Sequence, residues 1–166
     1  MLKQSLKSLL VASGLVVAMA PIANAQSLTV DVPRLTLEVN NKIAMETIKA
    51  CEAKGIPVSV TVVDRNGIIM VQMRDSMAPP VSLPISQKKA YTAVMFNANG
   101  SQLVSQAEGA LPTLGEGLAF MAGSVTISAG GRLFGAVGVS GAPGGDIDEE
   151  CAVAGVEAVQ MDLEMM

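Results

Sequence analysis

Arg74, Lys88 and Lys89 are the basic residues best spaced to meet an anion. Arg74 ends a run of strand-forming residues before a Pro-rich loop, and the two lysines open the helix that follows. Convergent cations of this kind hold a carboxylate or a propionate, whereas Lys and Arg taken singly are mostly solvated surface charge. Met70, Met73, Met77 and Met95, with the single Tyr91, fall in the same middle section. Methionine there fits core filling. The alternative is ligation, because the 166 residues include no histidine. A haem iron in such a chain would draw its axial ligand from Met, Tyr, a hydroxyl or water. The same absence removes His–Asp triads, His-ligated zinc and imidazole acid–base chemistry.

Other constellations carry less. Gly135, Gly138 and Gly141 invite a phosphate-loop reading, but no Lys follows them and they sit in and after a strand. Glycine there marks a bulge or a close backbone approach. Asp146, Asp148, Glu149 and Glu150 lack the order of a calcium loop. Asp146-x-x-Glu149 instead fits a capping box at a helix start. Ser140, in Gly138-Val-Ser-Gly141, is one residue short of a nucleophile elbow and has no base to activate it. Cys51 and Cys151 read either as two buried apolar residues or as one disulfide joining the first and last long helices.

These residues need elements to position them. Half the chain is apolar, 16% is charged and 2% aromatic, so one folded domain is expected and disorder is excluded. A net charge of −4 argues against a nucleic-acid partner. Residues 1–25 have the parts of a secretory signal: Lys3 and Lys7, an apolar run from Leu9 to Ala20, and Ala23-Asn-Ala25 for cleavage after Ala25. The expected product, residues 26–166, is soluble and periplasmic or secreted, with no membrane contact after cleavage. A helix from Thr36 to Lys54 is followed by a hairpin, Val58–Val63 and Ile68–Arg74, around Asp64-Arg-Asn-Gly67. A proline loop over residues 75–85 precedes a helix from Ser86 to Ala98. Irregular pieces, strands near Val125–Ser128 and Leu133–Val139, and a helix from Asp146 complete the chain. The order predicts an α+β fold: a central antiparallel sheet of about five strands with the long N- and C-terminal helices packed on one face.

Val62-Val-Asp-Arg-Asn-Gly67, Arg74-Asp-x-x-Ala78, Lys89-Ala-Tyr-Thr-Ala93 and Gly131-x-x-x-Gly-Ala-Val-Gly-Val-Ser-Gly141, then Asp146 and Cys151-Ala152, resemble the GlcG/HbpS family in the same order. The resemblance implies a small α+β domain assembled into dimers or larger homo-oligomers. It also implies haem or a related tetrapyrrole as ligand, with Gly123-Ser-Val-Thr126 standing where the family has Gly-Gly-x-Pro. We therefore expect an oligomeric binding protein for a small planar or anionic ligand, contacted by Arg74, Met77, Lys89, Tyr91 and Thr92. Two readings stand beside it: an enzyme or accessory protein acting on a small carboxylate, and an oligomeric sensory or interaction protein. No catalytic residue is assigned.

Overall fold

The computed structural model describes residues 28–113 and 115–166, so the signal sequence expected over residues 1–25 lies outside the described residues. Val32–Met166 form one compact unit. Its elements are α1 (Leu37–Glu52), β1 (Ser59–Asp64), β2 (Ile69–Arg74), α2 (Ser82–Phe96), a short α3 (Gly100–Leu103), β3 (Ser124–Ala129), β4 (Arg132–Ser140) and α4 (Gly145–Glu164). Single 3₁₀ turns at Val104–Glu108 and Leu111–Thr113 fill the irregular stretch. No described helix is long and apolar enough to cross a membrane.

The sheet is antiparallel with order β2-β1-β4-β3. Among the described residues it has four strands, not about five. Residues 115–123, next to the last hairpin, form turns instead, with Gly117 and Gly123 at positive φ.

The N- and C-terminal helices α1 and α4 share one face of this sheet, but the other face is not open: α2 covers it. Val60, Val62, Val137 and Val139 pack with Ile43, Ile48, Cys151 and Val156 under α1 and α4. The residues between them face α2. Ser59 Oγ lies 2.7 Å from Ser82 Oγ, Thr61 Oγ1 lies 2.8 Å from Ser86 Oγ, and Val63 packs on Ala90, Ala93 and Val94. The hydroxyls of Ser59 and Thr61 are buried because each finds a hydroxyl on α2. Gly138 permits the close seating: a Cβ there would come 2.2 Å from the Ser86 carbonyl oxygen.

Three local corrections follow from backbone chemistry. Helix α2 begins at Ser82, four residues before the expected start, with Pro84 in its first turn. A first-turn N–H has no intrahelical acceptor, so proline costs nothing there. In the hairpin only Gly67 has positive φ; Asn66 does not. Asp64 organises this turn, accepting from the N–H groups of Asn66 and Ile68 at 2.9 Å each. Helix α4 is capped by Gly144 with no side-chain bond, so Asp146-x-x-Glu149 is not a capping box. Glu149 reaches instead to the N–H groups of Ser101 and Gly123.

Cys51 and Cys151 are disulfide-bonded, with Cα atoms 5.5 Å apart, joining α1 to α4. Gly155 lets these helices touch: a Cβ there would fall 1.9 Å from Thr47 Oγ1.

Candidate functional site

Helix α2 presents two chemically different faces. Inward it places Ser82, Ser86, Lys89, Ala90, Thr92 and Ala93. Outward it places Gln87 and Lys88, with Tyr91 half-buried and Met95 exposed one and two turns on. Residues 115–119 form the opposite wall. Thr92 Oγ1 fixes that wall, accepting the Ala119 N–H at 2.7 Å while donating to the Lys88 carbonyl at 2.8 Å. Between helix and wall lie two adjoining hollows. One, of about 270 Å³, is lined by Gly67, Pro84, Lys88, Tyr91, Glu116 and Gly117. The other, of about 610 Å³, is lined by Lys88, Pro112, Thr113, Glu116, Gly117 and Leu118. They share Lys88, Glu116 and Gly117, so they form one groove, of a size that suits a small molecule.

The hairpin tip closes the groove at Tyr91. Gly67 has φ +79°, and a Cβ there would lie 2.6 Å from Tyr91 Cδ2, 2.7 Å from Cε2 and 3.0 Å from the Met95 methyl. The glycine is needed twice, once for its backbone angle and once because the aromatic ring lies against it. The Tyr91 hydroxyl makes no hydrogen bond to the described residues, and Lys88 makes no ion pair with them.

The other expected site residues are placed differently. Arg74 is exposed, but its Nη1 donates to the carbonyls of Asp75, Ser76 and Ala78 and so folds the loop after β2. Met77 is 79% exposed and lines a separate hollow with Glu52, Pro57 and Asp75. Lys89 is buried, with Nζ 2.8 Å from Asp148 Oδ2. Asp148 also accepts the Ala142 N–H at 3.0 Å. Burial pushes its carboxyl above the usual carboxylate range, against the pull of the Lys89 ammonium. Thus the groove gathers Tyr91 and Lys88, Thr92 supports its wall, and Arg74, Met77 and Lys89 stand apart. Glu116 and Gly117 were not foreseen. They sit in an aperiodic Gly/Pro stretch where only the density of turn residues marks a functional loop.

The lining suits an amphipathic planar group. Pro84, Leu118 and the Tyr91 ring offer apolar surface, Lys88 offers a cation for a propionate, and Tyr91 offers a phenol oxygen that iron can bind. Bound there, haem would supply an iron centre and a large flat apolar face. Among the described residues no group of three or more Cys, Asp or Glu is placed to hold a bare metal ion.

Residues 35–157 match the family model described as haem degrading protein HbpS-like. The chain belongs to the HbpS-like family. Among solved structures, a double mutant of HbpS from Streptomyces reticuli is 39% identical, with TM-score 0.75, over 86% of this chain and 98% of that one. A structure of HbpS is 37% identical, with TM-score 0.76, over 83% and 99%. A complex of PduOC with heme shares the HbpS-like fold at 23% identity and TM-score 0.70, over 76% and 95%. No curated protein matches the chain.

Proposed function

We propose that this HbpS-like protein binds haem, or a related anionic tetrapyrrole, in the groove between α2, the hairpin tip and residues 115–118. One observation carries the reading: Lys88 and Tyr91, a cation and a phenol whose polar atoms have no hydrogen-bond or ion-pair partner among the described residues, line the same half-apolar groove. The family description and the PduOC complex with heme support it from outside the molecule. The protein acts by holding the ligand. The Cys51–Cys151 disulfide supports export to an oxidising compartment after cleavage of the leader. Self-association is part of the same reading. Exposed Ile68, Ile69 and Met95 lie at or beside the hairpin tip, where a second copy would cover them.

Titration of the mature protein with haemin, followed in the visible range, tests this. A saturable Soret shift at micromolar protein and one haem per chain are expected. No Soret shift would remove the reading and leave small carboxylates as the ligands to try against Lys88.

A further inference from the structure

Five side chains on the groove carry an atom that could bind iron: Gln87, Lys88, Tyr91, Thr113 and Glu116, of which exposed Gln87 offers only a neutral amide oxygen, a weak donor. They are not equivalent. Thr113 Oγ1 donates to the Ala110 carbonyl at 2.6 Å, and a neutral hydroxyl is a weak donor to iron. Lys88, once deprotonated, would be a neutral amine that cannot offset the charge of ferric iron. Glu116 is exposed, between Gly115 and Gly117 on a stretch without regular structure. Tyr91 alone is anchored. Its backbone is in α2, its ring lies against the hairpin tip at Gly67, and its hydroxyl is left without a hydrogen bond to the described residues. A rigid aromatic with a free oxygen is held ready to ligate, because little side-chain freedom remains to be lost on binding.

We infer that Tyr91, through its phenolate oxygen, is the axial iron ligand, and that the site therefore selects ferric over ferrous haem. This rests on the haem reading of the groove. On binding, the phenolic O–H bond breaks and its proton passes to solvent. The oxygen then gives a lone pair to Fe(III), displacing the water or hydroxide that held the position. The phenolate charge balances the single net positive charge of a ferric porphyrin core. A ferrous core is neutral, so the same oxygen would face no net charge there and form a weaker bond. Lys88 remains for a propionate, and the site holds ferric haem more tightly than ferrous haem.

The test uses the mature disulfide-bonded protein with haemin. The wild type should give a five-coordinate high-spin ferric spectrum with resonance Raman modes of an iron-bound phenolate, a readout that needs no variant. Tyr91→Phe should lose those modes and bind haemin about 10–100-fold more weakly, at least the loss that follows removal of a supporting residue around a metal. Glu116→Gln should keep them. Dithionite should speed haem transfer to an acceptor apoprotein by a similar factor. Unchanged spectrum and affinity in Tyr91→Phe, loss of the phenolate modes in Glu116→Gln, or equally tight ferrous haem would overturn the inference while haem binding stands. Absence of any haemin binding by the wild type would overturn both.

Discussion

Lys89 Nζ and Asp148 Oδ2 meet at 2.8 Å with both side chains only 4% exposed, tying the middle of α2 to the first turn of α4. Neither charge has water to fall back on. Gly123 is what gives the ammonium room, since a Cβ there would lie 2.4 Å from Nζ. Glu149, next along α4, accepts the Gly123 N–H at 2.9 Å. One short stretch of the chain thus shapes the ion pair and is held by the helix that supplies the acid. A buried pair of this kind is weak grounds for stability but a severe constraint, because removing one partner strands the other.

Lys89→Met is expected to cost about 3–5 kcal/mol at neutral pH, read by urea denaturation. The cost should shrink on acidification. Asp148 already titrates above its ordinary 3.8 in the folded protein, mainly through burial, and loss of the ammonium raises it further. A carboxyl whose folded pKa exceeds its unfolded value binds its proton more tightly when folded. Stability therefore falls as pH rises from 3.8 to the folded pKa, and the fall is larger in the variant. Lys89→Met as costly at pH 4 as at pH 7 would contradict this account.

The bond between Cys51 and Cys151 closes a loop of 100 residues, which links the two ends of the domain. Chain-entropy arguments assign a loop of that length about 4.7 kcal/mol. Alkylation under denaturing conditions should label no cysteine before reduction and both after it. The Cys51→Ala/Cys151→Ala double variant should unfold at markedly lower urea. Labelling of both thiols without reduction would show that the bridge does not form.

The local grammar was readable where chemistry is local. Thr36 caps α1, accepting the Val39 N–H, and Gly55 takes positive φ just after the helix. The hairpin and the Gly130-Gly131 turn lie where Asn-Gly and Gly-Gly place them. What failed depended on partners distant in sequence. Ser59 and Thr61 are buried only because Ser82 and Ser86, 23 and 25 residues on, meet them. Lys89 reads as a ligand contact because its true partner is 59 residues away, and Asp148 reads as one of an acidic run at a helix start. The groove was half legible. Tyr91 stood out as the only tyrosine, whereas Glu116 and Gly117 reach it through a fold of irregular chain that no periodicity announces.

Lys88→Gln should leave folding untouched, because the ammonium is exposed and unpaired among the described residues. Its effect belongs to the ligand. An exposed Lys–propionate contact is worth about 0.2–1 kcal/mol, so haemin affinity should fall about 1.4- to fivefold and lose part of its salt dependence. Equal affinity and equal salt response in both proteins would place the propionates elsewhere.

Gly67→Ala joins the fold to the site in one atom. The methyl forces a non-glycine residue to φ +79° and drives into the Tyr91 ring at 2.6 Å, so ring or hairpin tip must move. Left-handed strain of this kind costs about 1–2 kcal/mol, visible in thermal unfolding. Displacement of the ring should weaken haemin binding beyond what the lost stability explains. Gly67→Asn separates the two effects, since asparagine tolerates positive φ but carries the same Cβ. It should recover much of the stability and none of the affinity. Recovery of both by asparagine would mean that the backbone angle, and not the contact with Tyr91, is what the groove requires of this position.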